Sequence, residues 1–92
     1  MDAMQNDDRS LAVVTGGASG IGAACCRLLA DRGARIAVLD RQVEAAQSVA
    51  TALDGRAWAC DVSDETAVEP VAERIEAELG PVGVLINCAG II

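Results

Sequence analysis

The chain has 92 residues, enough for one small domain or part of a larger one, and its 52% apolar and 23% charged residues describe a globular chain rather than a disordered one. A net charge of −7 and a pI near 4.2 argue against a nucleic acid or an anionic membrane surface as partner. His, Tyr and Phe are absent and all seven basic residues are Arg, so Lys is absent too, and chemistry that needs His, Tyr or Lys cannot come from these residues.

Residues 1–9 read as a loose polar tail and residues 10–92 as the folded part. The acidic start has no apolar core behind it, as a signal peptide would, and no apolar run approaches a bilayer's thickness, so a cytoplasmic location without a membrane partner is expected. Leu11 to Thr15 is the first predicted strand, apolar without alternation, as in a strand covered on both faces. A Gly-rich turn follows, then a helix with Ile21, Ala24, Cys25, Leu28 and Leu29 on the stripe expected to lie on the sheet, ending at Gly33. Arg35 to Asp40 is the second strand. A second helix begins at about Arg41, with Val43, Ala46, Val49, Ala50 and Leu53 inward, and stops at Asp54-Gly55. Arg56 to Cys60 is a short third strand, and Asp61-Val62 turns out of it. Ser63 is the expected N-cap of a third helix, whose periodicity runs through Val68, Val71, Ala72, Ile75 and Leu79. Pro70 falls in that helix's second turn, where it removes a hydrogen bond, so the pattern predicts a kink or a restart at Pro70. Gly80-Pro81 ends the helix, and Val82 to Asn87 is the fourth strand.

The order β-α-β-α-β-α-β with short connections implies parallel strands. Right-handed crossovers place the first two helices on one face and the third on the other, an α/β, Rossmann-type three-layer arrangement with sheet order 3-2-1-4. The switch point lies between strands 1 and 4, at the Gly-rich turn. Cys25, Cys26, Cys60 and Cys88 lack C-x-x-C spacing and a His partner, so no metal site is expected. Cys25 and Cys26 read as small packing residues on a helix, and Cys88 as a packing residue rather than a nucleophile. Strands 3 and 4 would stand about 14 Å apart, too far for a Cys60–Cys88 disulfide.

The turn reads Thr15-Gly16-Gly17-Ala18-Ser19-Gly20-Ile21-Gly22. Glycines here let a chain turn sharply off a strand, bring backbone close to a diphosphate and pack the next helix on the sheet, while that helix's first amides point at an anion. A tight turn with no ligand is the plain alternative. A nucleoside-triphosphate loop is excluded because Ala23, not Lys, follows Gly22. The spacing Thr-Gly-x-x-x-Gly-x-Gly resembles the ordinary, shorter branch of the short-chain dehydrogenase/reductase family. It differs from the Thr-Gly-x-x-Gly-x-x-Gly of the extended branch. Asp40 ends the second strand, where a carboxylate can accept hydrogen bonds from an adenosine ribose and repel a 2′-phosphate, favouring NAD over NADP. Arg41 beside it is the counter-argument, since a guanidinium accepts that phosphate, and a helix N-cap is the structural alternative for Asp40. Asp61-Val62 resembles the family's Asp-Val step, whose carboxylate meets the adenine amino group; a solvated turn carboxylate is the alternative. Asn87-Cys88-Ala89-Gly90 resembles the family's Asn-Asn-Ala-Gly segment, with Cys in second place.

The resemblance implies an oxidoreductase that moves a hydride between a nicotinamide dinucleotide and a small alcohol or carbonyl substrate, homo-oligomeric when complete. Its cofactor residues map onto Gly16, Ser19, Gly20, Ile21, Gly22, Asp40, Arg41, Asp61, Val62, Asn87, Ala89 and Gly90. The family's catalytic Ser, its Tyr-x-x-x-Lys pair and a further Asn lie beyond the Asn-Asn-Ala-Gly segment, so no catalytic residue is nominated here. The chain is expected to be the adenosine-binding part of such an enzyme, inactive and weakly binding by itself, with an unpaired edge strand that favours self-association. A non-catalytic nucleotide-binding or interaction module ending at Ile92 is the alternative.

Overall fold

A computed structural model describes residues 9–88, with backbone alone at Glu65; the expected tail over residues 1–8 and the assignments of Ala89 and Gly90 lie outside the described residues. The elements are β1 (Leu11–Thr15), α1 (Gly20–Asp31), β2 (Arg35–Asp40), α2 (Val43–Ala52), β3 (Arg56–Ala59), α3 (Glu65–Leu79) and β4 (Val84–Asn87). The strands form one parallel sheet in the order β3-β2-β1-β4. This is the Rossmann-type α/β arrangement expected from the connection lengths.

All five residues of β1 are buried, because helices cover both faces of the sheet there. Strand alternation sorts the apolar residues into two cores. Leu11, Val13, Ala37, Leu39, Trp58 and Cys60 meet Ile75 of α3, whereas Ala12, Val14, Ile36 and Val38 meet Cys26 of α1 and Ala46 and Ala50 of α2. The register lines up the strand ends, with Trp58, Leu39, Thr15 and Asn87 forming one row across the sheet. The next residues, Ala59, Asp40, Gly16 and Cys88, therefore stand together at its C-terminal edge.

Two details of the helices differ from the sequence reading, and at Pro70 one of its two alternatives, the restart, does not occur. In α1 the buried residues are Gly22, Ala23 and Cys26, while Ile21 and Leu28 are 65% and 52% exposed. The helix is turned so that its small residues approach the sheet, which leaves Ile21, Ala24 and Leu28 of the expected stripe exposed and Cys25 and Leu29 half-buried against the core. The cap of α3 is Asp64 rather than Ser63: its side chain accepts from the Thr66 N–H at 3.0 Å, and Ser63 is occupied by Asp61. One helix runs through Pro70 without restarting, so the cost is the missing bond to the Thr66 carbonyl. The outer strands and α2 begin or end one or two residues inside the expected limits.

Arg35 Nη1 donates to the Leu79 carbonyl at 2.7 Å, satisfying an end group of α3. Arg56 lies 5.3 Å from the Trp58 ring centroid and 2.6 Å from Glu78, which ties the same helix end to β3. Among the described residues, no helix is long and apolar enough to cross a membrane.

Candidate functional site

The chain leaves β1 at Gly16, whose φ of 68° lies in the left-handed region open to glycine. Its N–H donates to the Leu39 carbonyl at 2.7 Å, so the turn starts as a continuation of the β1–β2 ladder. Six residues on, a Cβ at Gly22 would lie 2.0 Å from the Gly16 carbonyl oxygen. Only glycine lets the first turn of α1 fold back onto the strand end that closely. Ser19 caps the helix with extended backbone and no side-chain capping bond, and the first intrahelical bond runs from the Ala23 N–H to the Ser19 carbonyl. The amides of Gly20, Ile21 and Gly22 have no acceptor one helical turn before them, and no acidic residue stands in that turn. The positive end of the helix is therefore uncompensated, as an anion site requires.

Asp40 is held against this loop. The Ala18 N–H donates to its Oδ2 at 3.1 Å and the Gln42 N–H to its Oδ1 at 3.0 Å. Each oxygen keeps a lone pair for another donor. On the far side, the Ser63 hydroxyl and backbone N–H donate to Asp61 Oδ1 at 2.7 and 3.0 Å. Those bonds, with the Arg41 charge, hold the Asp61 carboxyl below the usual carboxylate range.

Two cavities lie side by side along this edge. One, of about 310 Å³, is lined by Gly16, Ser19, Gly20, Ile21, Gly22, Asp40 and Cys88. The other, of about 490 Å³, is lined by Gly16, Asp40, Arg41, Cys60, Asp61, Val62 and Ser63. Gly16 and Asp40 border both, so they form one groove with the Asp40 carboxylate at its middle. It lies at the C-terminal ends of the strands, at the reversal of strand order between β1 and β4, where open α/β sheets take ligands.

Of the residues singled out in the sequence, nine line this groove. Asn87 does not: its Oδ1 accepts from the Thr15 hydroxyl at 2.6 Å, and it borders a separate apolar cavity beside α3. That bond and the Cys88 N–H to Thr15 carbonyl bond at 3.0 Å hold the ends of β4 and β1 together. Sequence reasoning missed Thr15, Ala18 and Ser63, which position the site rather than stand out in it. Their signal was adjacency to Gly16, Asp40's strand end and Asp61.

The pattern that defines the short chain dehydrogenase family matches residues 10–92. The chain belongs to that family. Among its relatives, the D-threitol dehydrogenase of Mycolicibacterium smegmatis is 44% identical over 89 residues, covering 91% of this chain and 34% of the relative. Carbonyl reductase family member 4 of Danio rerio is 51% identical over 84 residues, covering 88% and 35%. The short-chain dehydrogenase chain thus spans about a third of the length of the curated relatives it matches. A crystal structure named as ribose-5-phosphate isomerase from Brucella melitensis superposes with a TM-score of 0.86 at 44% identity, over 90% of this chain and 32% of that one. That name belongs to another reaction class, so the reaction class rests on the family and not on likeness of fold. The family is one of oxidoreductases that use nicotinamide cofactors and small-molecule substrates.

Proposed function

We propose that this chain forms the part of an alcohol or carbonyl oxidoreductase that binds the ADP half of NAD. The observation that carries the reading is the groove itself, an uncompensated helix N-terminus at one end, a carboxylate in the middle and a polar turn at the other. The residues fit the cofactor in the same order. The amides of Gly20, Ile21 and Gly22 and the Ser19 hydroxyl face the diphosphate, with Gly16 giving room. Asp40 accepts from the adenosine ribose hydroxyls through its remaining lone pairs. Asp61 and Val62 border the adenine, and Asn87, at the end of β4, lies toward the nicotinamide half.

Bound nicotinamide supplies or accepts the hydride. The residues of this chain fix where that ring enters, by holding the other end of the dinucleotide. With no Tyr, Lys or His, they cannot supply the family's Tyr-x-x-x-Lys pair for the alcohol proton. NAD is preferred to NADP because a 2′-phosphate would meet the Asp40 carboxylate, whose place is fixed by two backbone amides. Arg41 is exposed beside Asp40 in the same groove and is the residue that would favour NADP instead.

Calorimetric titration with NAD and NADP tests this. NAD is expected to bind more tightly, and Asp40→Ala to weaken NAD and narrow the difference. Tighter NADP binding would overturn the cofactor choice, and failure of both to bind would overturn the function.

A further inference from the structure

Asp61 follows β3 in a turn that is fixed at both ends. The Cys60 N–H donates to the Asp40 carbonyl at 3.1 Å, extending the β2–β3 ladder up to the turn, and the Asp64 N–H donates to the Asp61 carbonyl at 3.0 Å, closing it. Within the turn, the Ser63 hydroxyl and N–H both donate to the same carboxylate oxygen, Asp61 Oδ1, at 2.7 and 3.0 Å. A carboxylate oxygen has two lone-pair sites, so Oδ1 is filled. Among the described residues, Asp61 Oδ2 takes no hydrogen bond. The Ser63 hydroxyl has no part in capping α3, because Asp64 does that through the Thr66 N–H and also takes the Thr66 hydroxyl at 2.7 Å. Asp61 and Ser63 line the same cavity as Asp40 and Arg41.

We infer that Ser63 is a positioning residue that sets which purine the groove accepts: by filling Oδ1 it offers the ligand one fixed acceptor, Oδ2, and so selects a base with an amino group at C6 over one with a carbonyl there. The inference rests on the placement of the adenine beside Asp61 proposed above. Adenine presents a donor at C6 and an acceptor at N1, whereas hypoxanthine presents an acceptor at C6 and a donor at N1. An ionised carboxylate only accepts, so Oδ2 held opposite C6 takes the adenine amino group and repels the hypoxanthine carbonyl. A carboxylate free to turn about its last bond would swing to the hypoxanthine N1–H and recover a hydrogen bond. Two donors reaching Oδ1 from different directions deny that turn, and with the backbone N–H alone the bond becomes a pivot. The same two bonds are the main reason the Asp61 carboxyl lies below its usual range, which keeps it ionised and without a proton to donate.

The test is calorimetric titration of the full chain, and of its Ser63→Ala and Ser63→Thr variants, with NAD, with NADP and with nicotinamide hypoxanthine dinucleotide, which differs from NAD only in the base. The wild type is expected to bind NAD about tenfold more tightly than the hypoxanthine dinucleotide. Ser63→Ala should lower that ratio to about threefold or less, and Ser63→Thr, which keeps a hydroxyl, should restore it. The ratio of NAD to NADP affinity, set at Asp40, should be the same in all three proteins, which a general loosening of the groove would not allow. A base preference missing from the wild type, unchanged in Ser63→Ala or not restored in Ser63→Thr would overturn the inference and leave the dinucleotide site standing. A fall of both ratios together would reduce Ser63 to a support of the fold and also overturn it. No binding of any of the three by the wild type would instead overturn the dinucleotide reading, and this inference with it.

Discussion

The two faces of the sheet are built differently. On the α1/α2 face, Ala12, Val14, Cys26, Ile36, Val38, Ala46 and Ala50 are all at most 2% exposed, and the helices come close because the residues between them and the sheet are small. On the α3 face, the core gains one fully buried side chain from its helix, Ile75, and beside it runs an apolar cavity of about 400 Å³ reaching Leu85, which is 65% exposed. The close-packed face holds the Gly-rich turn and Asp40. Small residues there serve position as much as stability: a groove for an anion needs a helix terminus fixed to within fractions of an ångström, and interdigitated Ala, Gly and Cys fix it.

The largest test of that difference is Gly22→Ala. The added carbon meets backbone at Gly16 and Gly17, at 2.0, 2.7 and 3.0 Å, and no rotamer change relieves it. A loss of about 3 kcal/mol or more in denaturant unfolding is expected. A loss below 1 kcal/mol would mean that α1 does not sit as close to β1 as described.

Ile75→Ala makes the corresponding test of the other face. Its cost should be about 2 kcal/mol, the low end for a buried Ile, because the site borders a cavity that already admits solvent. A cost near 5 kcal/mol would show that face to be as tightly packed as its opposite.

Cys26 gives a pH-dependent version of the same comparison. Burial first, then the neighbouring Cys25 and Cys88, push its thiol up to about 11 from an ordinary 9.0. Between those values the unfolded chain releases a proton that the folded chain keeps, so stability falls as pH rises from about 9 and levels off near 11. The fall from this residue is at most about 3 kcal/mol, and Cys26→Ala should remove that share from the dependence of unfolding midpoint on pH.

The smallest effect is at the solvent end of the groove. Ser63→Ala deletes one of two donors to Asp61, so its carboxyl should titrate at higher pH in a carbon-13 NMR titration, remaining depressed by the Ser63 amide. The sign follows: a depressed carboxyl stabilises the fold above its unfolded value near 4 and loses that as pH falls through its folded value, so the variant loses it sooner. An unchanged Asp61 titration would contradict the bond.

Much of this was legible in the chain. The apolar runs, Gly33, Asp54-Gly55 and Gly80-Pro81 mark the elements, and short connections with right-handed crossovers leave the observed sheet order as the arrangement to expect. The rotation of α1 was not legible from hydrophobic periodicity, because Ile21 and Leu28 outweigh Ala23 and Cys26 on any hydropathy scale while a steric demand at Gly22 decides which side faces the sheet. The cap of α3 turned on a contest between adjacent candidates: Asp61 took the Ser63 amide and hydroxyl, and Asp64 was left to cap. Pro70 shows the reverse of a local rule, one lost hydrogen bond being tolerated in a helix anchored at its other end by Arg35 and Arg56. The Thr15–Asn87 bond joins residues far apart in sequence, and nothing in either segment alone announces it.

The most direct test of the central claim is the affinity of the chain for NAD and NADP, measured by calorimetry in parallel on the wild type and Asp40→Ala. The account predicts saturable binding with NAD ahead of NADP, and a variant that binds NAD less tightly and no longer separates the two. Equal binding of both by the wild type, unchanged by the substitution, would contradict the place given to Asp40; no binding of either would contradict the groove as a dinucleotide site.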